Sequence, residues 1–165
     1  MFGIGEKVVY GTYGVMDVTD VRDVAIGDSV RKYYVLCEAG GLASSETLIP
    51  VDNELLVSGM RPLLTPDAMI TAIRVAKSVT ELPWVEDNRA RADYFKTVLS
   101  SGDRTAILVM IRSIIEAGVR RAAEGKKNFL ADETAMRKAE KILYSEIAEV
   151  MGIPVSDAPR FIETV

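Results

Sequence analysis

Few side chains in this sequence could carry out covalent or acid–base chemistry. The 165 residues include no histidine, so the most versatile proton-transfer group near neutral pH is missing. The single cysteine, Cys37, ends the apolar run Tyr33-Tyr34-Val35-Leu36-Cys37. A thiol there, with no histidine to activate it, reads as a core residue and not as a nucleophile. One cysteine also excludes an intramolecular disulfide and a multi-cysteine zinc site, and it fits a reducing compartment. Asp17, Asp20 and Asp23 are regularly spaced, but they lack the glycine and closing glutamate of a calcium loop and read as the wet face of a strand. Glu86 and Asp87 are adjacent at a predicted helix start, where they point apart and favour the helix dipole. The glycines of Gly3-Ile4-Gly5-Glu6 precede a strand and open no helix, so they form no phosphate-binding loop. The expectation is a protein that is not an enzyme and holds no metal or cofactor.

What remains is one tryptophan and several groups of positive side chains. Trp84 follows the helix-breaking Pro83. Asn88, Arg89 and Arg91 stand near the start of a predicted helix. Arg112, Arg120, Arg121, Lys126 and Lys127 mark the next helix and its exit, and Arg137, Lys138 and Lys141 cluster on the one after. Such groups supply phosphate contacts to nucleic acid. Their ordinary explanation is pairing at helical spacing with acids such as Glu116, Glu124, Glu133 and Glu140. The formal net charge of −4 argues against a protein that coats DNA generally. Residues 1–57 hold four bases (Lys7, Arg22, Arg31, Lys32) against nine acids, whereas the remaining sixteen bases and fifteen acids nearly balance. An acidic part joined to a near-neutral part suggests two partners of different kinds, or two solvated surfaces that differ by chance.

The elements that must position these residues fall into two sets. Up to about residue 50 the apolar period is two. Phe2, Ile4, Val8, Tyr10 and Val15 are expected to share one core, "VRKYYVLCE" is the strongest strand, Gly27-Asp28 is a turn, and "SETLIPV" closes the set. Four to five short strands in fifty residues favour a small SH3- or Tudor-like barrel. From Thr65 the period becomes 3.6. Thr65-Pro66 is an N-cap with proline at N1, Gly102 suits a helix end, and Asp103 suits the next cap. Asp132 is expected near the start of a further helix, and Ser156 as the cap of a short last one. Ile107, Leu108, Ile111, Ile114, Ile115 and Val119 make the helix after Asp103 apolar over more than one face, which predicts a central helix. The predicted fold is α+β with two domains: a β-barrel over 1–60, then an all-helical domain of four to five helices over 61–165. No run approaches the roughly 18 apolar residues of a membrane span, and "MFGIGEK" lacks the basic and apolar regions of a signal peptide, so a soluble cytoplasmic protein is expected.

Several motifs in order resemble one family. "GEKVVYGTYGV", then "YYVL" and "IPVDN", are similar to the start of the CarD/CdnL family of bacterial transcription regulators and to the RNA-polymerase-interacting domain of transcription-repair coupling factor. "MRPLLTPDAM" resembles that family's interdomain junction, "YFKTVLSSGDRTAILVMIRSI" its helix–SGD–helix segment, and "DETAMRKAEKILYSEIAEVMGIP" its penultimate helix. The resemblance implies a Tudor-like module that binds the RNA polymerase β subunit. It also implies a helical domain that contacts promoter DNA without sequence-specific readout and alters open-complex stability.

Carried onto this sequence, the implied polymerase-binding positions are Arg22, Val24, Thr47, Leu48, Ile49 and Pro50. The implied DNA-binding positions are Trp84, Asn88, Arg89, Arg91, Arg120, Arg121, Lys126, Lys127, Arg137, Lys138 and Lys141. Two departures stand out. The family's wedge tryptophan position falls on Asn88, with Trp84 about one turn upstream, so Trp84 is either a displaced wedge or an anchor packed beside Pro83. The family's polymerase-binding arginines fall on Leu48 and near Val24. The second reading is an interaction adaptor that has no DNA contact.

Overall fold

The computed structural model describes residues 1–40 and 45–165 and divides the chain into two compact units, Met1–Leu63 and Leu64–Val165. The fold is α+β: a five-stranded antiparallel sheet and six α-helices among the described residues.

The first unit contains β1 (Lys7–Tyr10), β2 (Gly14–Ile26), β3 (Ser29–Glu38), β4 (Thr47–Pro50), a one-turn helix α1 (Glu54–Val57) and β5 (Met60–Pro62), with sheet order β4-β3-β2-β1-β5. Val8, Met16, Val18, Tyr34, Leu36, Ile49 and Met60 form a buried cluster, with Phe2 and Tyr10 packed against it. Val9, Val15 and Val35 are buried as well, each neighbouring a cluster residue in sequence. The sheet centre is therefore covered on both faces, and its strands read as continuous apolar runs instead of alternating ones. Ile4, expected in the core, is 64% exposed, because the chain reaches β1 through a turn at Gly3–Glu6 that leaves Ile4 at its tip.

Two local devices shape the sheet. Ile26 pairs with Ser29 across Gly27-Asp28, and Gly27 has φ +62°, as the first central position of a tight hairpin turn requires. The register of β2 against β3 shifts between Val18 and Asp20, a bulge centred on Thr19, whose hydroxyl donates to the Val35 carbonyl at 3.2 Å. The extra residue turns Val21 toward the core and leaves Asp20 to pair with Arg22. Cys37 is only half-buried beside Thr19, not a core thiol, because it lies across from Asp17 near the end of β3.

The second unit contains α2 (Pro66–Ser78), α3 (Asn88–Ser101), α4 (Arg104–Ala123), α5 (Leu130–Met151), a 3-10 turn (Val155–Asp157) and α6 (Ala158–Thr164). Thr65, Asp87 and Asp103 cap α2, α3 and α4, each accepting from a backbone N–H three residues on. Gly102 ends α3 in the left-handed region at φ +68° and lets the chain turn directly into α4. Ser156 lies within the 3-10 turn and does not cap α6. The centre is shared: α4 packs against α2, α3 and α5, while α5 also reaches α2, α3 and α6. Ile115 and Val119 are 52% and 65% exposed, so the inward face of α4 is narrower than expected. No helix among the described residues is long and apolar enough to cross a membrane.

Candidate functional site

The C-terminal end of α4, the start of α3 and the connection into α5 enclose a cleft of about 340 Å³. It gathers Trp84, Asn88, Arg91, Arg120, Arg121 and Lys126 of the candidate DNA-binding residues and adds Phe129, Glu86 and Glu124. Arg89, Lys127, Lys138 and Lys141 are exposed outside its lining. Arg137 lines a different, largely apolar hollow with Ile115, Val119 and Met136.

Arg91 forms the floor of the cleft. It is 1% exposed, and its guanidinium meets the Asp132 carboxylate in a two-point pair, Nε to Oδ1 at 3.0 Å and Nη2 to Oδ2 at 3.1 Å. Nη1 donates to the Val85 and Glu86 carbonyls at 2.9 and 3.2 Å, and Nη2 also donates to Asn88 Oδ1 at 2.9 Å. A guanidinium has five N–H groups, and all five are used. Its Cζ lies 4.6 Å from the Trp84 ring centroid and 5.0 Å from that of Phe129. Arg91 is thus neutralised, desolvated and bonded throughout, which removes it from the candidate phosphate ligands. Asp132 lies near the start of α5, as expected. The cap of α5 is Phe129, without a side-chain hydrogen bond, and the Asp132 carboxylate, in the first turn, is taken by Arg91.

Trp84 is half-buried, edge-on to the buried Phe95 at 6.3 Å, with Arg91 over its ring. It is anchored in the way a residue beside a chain break requires, yet it still borders the cleft. Arg121 lies 3.9 Å from the Phe129 ring centroid, and its Nε donates to the Lys127 carbonyl, which folds the connection after α4 back on the helix end. Lys126 pairs with Glu124 at 2.7 Å. That hydrogen bond, then the Lys126 charge, then Arg121 and Arg120, hold the Glu124 carboxyl below the usual glutamate range. Positive groups therefore outnumber negative ones in the cleft, but the two are interleaved.

Two other arginines have structural partners. Arg112 donates to the Ala76 and Val79 carbonyls and so closes the end of α2. Arg104 pairs with the fully buried Glu146 on α5, which also accepts from the Leu64 backbone at 2.9 Å. Sequence reasoning missed both pairs and Phe129. Arg91/Asp132 and Arg104/Glu146 are 41 and 42 residues apart, and no local pattern announces them.

In the first unit, β4 ends the sheet on one side and carries Thr47, Leu48, Ile49 and Pro50. The Ile49 side chain belongs to the buried cluster and its backbone faces Tyr34 in the ladder, so the backbone groups that β4 turns outward are those of Leu48 and Pro50. Arg22 is exposed on β2, paired with Asp20 and Glu46, two residues before the half-buried Val24. Ile26 and Val30 are exposed at the hairpin end. No protein-family model matches the chain, and no curated protein matches it in sequence.

Proposed function

We propose that this chain is a CarD-like transcription regulator. Its first unit, read as an SH3- or Tudor-like module, binds the RNA polymerase β subunit, and its helical unit contacts promoter DNA without reading sequence. The observation that carries this reading is the cleft, in which a tryptophan edge stands beside Arg120, Arg121 and Lys126. Arginine and lysine provide phosphate contacts that carry no base information, and an aromatic edge packs against an opened or bent minor groove. The polymerase half is supported by β4, which ends its sheet in the position from which a strand adds to a partner's sheet edge. With Leu48 where the family has arginine, that contact relies on backbone pairing and shape. The motif order from "GEKVVYGTYGV" through "SGD" to "GIP" favours the same reading.

A second reading is an adaptor that binds polymerase or another protein and leaves DNA alone. It is favoured by one observation: Glu86 and Glu124 stand among the cleft's basic groups, and Arg91 is already neutralised. The two separate in a binding experiment with the polymerase β-lobe fragment, alone and with forked promoter DNA. The regulator predicts binding to the lobe that tightens when DNA is added, and a Trp84→Ala protein that loses the tightening while keeping the lobe. Lobe binding indifferent to DNA identifies the adaptor, and no binding to either partner rejects both.

A further inference from the structure

Residues 80–86, which carry Trp84 into the cleft, form neither helix nor strand. Among the described residues, the hydrogen bonds that tie this segment down are those that Val85 and Glu86 accept from Arg91. The same guanidinium holds Asn88 at the start of α3 and Asp132 in the first turn of α5, and it lies against both the Trp84 and Phe129 rings. Phe129 in turn carries Arg121, whose Nε secures the Lys127 carbonyl. Both walls of the cleft are therefore referred to one buried side chain: the tryptophan wall directly, and the basic wall through Phe129 and Asp132.

We propose that Arg91 is the positioning residue of this cleft. Its guanidinium, locked by Asp132, fixes where Trp84 stands relative to the basic connection between α4 and α5, without itself touching the ligand. Lysine cannot substitute. An ammonium has three donors and no plane, so it can neither satisfy five acceptor contacts nor fill the slot between two rings. One face of the indole is already covered by Arg91. A partner must then approach Trp84 by its other face or its edge, and that approach direction is what Arg91 sets. The consequence for DNA affinity rests on the regulator reading above; the placement of Trp84 does not.

Trp84 is the only tryptophan in the chain, so its fluorescence reports the position directly. The test uses the full chain with Arg91→Lys, and with Asp132→Asn as the milder variant to be read if Arg91→Lys does not fold. Trp84 emission, acrylamide quenching and the salt dependence of forked-DNA binding are measured for each. Glu146→Gln, which weakens the unrelated buried pair, controls for lost stability.

The expected result is a folded variant with red-shifted emission and quenching raised by about twofold or more, neither of which the control shows. DNA affinity should fall by about tenfold while the slope of log affinity against log salt stays unchanged. In a third variant, Arg91→Gln, which removes the charge that Arg91→Lys keeps, a direct phosphate ligand would instead lower that slope by about 0.9. Unchanged emission and quenching in a folded variant overturn the proposal, and so does a slope reduction of that size. A Trp84 shift in a protein whose wild type binds no DNA upholds the positioning role and rejects the regulator reading alone.

Discussion

The Glu146 carboxylate, fully buried on α5, accepts from Arg104 Nε and Nη2 and from the Leu64 N–H, at 2.9 to 3.0 Å. A buried pair of this kind is a poor source of net stability, because desolvating both charges offsets their attraction. Removing one partner is another matter. Glu146→Ala leaves a largely buried guanidinium and an amide without their acceptor, and should cost about 3–5 kcal/mol in urea unfolding. A loss below about 1 kcal/mol would mean that water replaces the carboxylate. Tyr144 makes the pH-dependent case. Burial, then the charge and hydrogen bond of Glu140, push its phenol from 10.0 to about 12. The folded chain keeps this proton at a pH where the unfolded chain has lost it, so the associated stability is complete below pH 10 and declines between pH 10 and 12. Tyr144→Phe should remove that part of the alkaline decline. Identical stability slopes for wild type and variant across the window would refute the assignment.

At the scale of elements, what could be read from the sequence was whatever is decided within a few residues. Thr65 and Asp103 cap helices because a short oxygen-bearing side chain reaches an N–H three residues on, whatever surrounds it. Gly102 and Gly27 stand where a positive φ is needed, and the change of apolar period near Thr65 marks where strands give way to helices. Asp132 shows the limit. It falls in the first turn of α5, near the helix start as its local pattern suggests, but the guanidinium 41 residues away that claims its carboxylate has no local signal. The same holds for Arg91 and Arg112, which count as surface cations in a sequence and are in fact bonded into helix ends and connections. The Thr19 bulge had no signal, since threonine is an ordinary strand residue. Ile115 and Val119 extend an apolar stripe that tertiary packing uses only in part. The candidate site was therefore legible as a set of residue types, while the division of those residues between scaffold and contact surface was not.

For the whole molecule, the charge balance limits how DNA could be held. Residues 1–63 carry five bases and nine acids, and residues 64–165 carry fifteen of each. Of those fifteen bases, Arg91 and Arg104 sit in buried pairs, Arg112 closes α2, and Lys77 donates to the Ile162 and Glu163 carbonyls of α6. At the cleft and its rim stand Arg120, Arg121, Lys126 and Lys127, so about four phosphates is the most this surface can neutralise. At about −0.9 per phosphate, the slope of log affinity against log salt should be no steeper than roughly −3.6. Arg120→Gln should flatten it by roughly 0.9, with little change in stability because Arg120 is exposed. A much steeper wild-type slope would place phosphate contacts elsewhere, on Arg137, Lys138 and Lys141 first. On the regulator reading proposed above, so few contacts on a chain of net charge −4 would give weak binding to free DNA. On that reading, a chain held on polymerase by its first unit would meet promoter DNA at an effective concentration in about the millimolar range, where weak, sequence-blind contacts suffice. The isolated chain should thus bind forked DNA far more weakly than the chain held on the polymerase lobe, and equal affinities in the two settings would remove the need for a bridging protein.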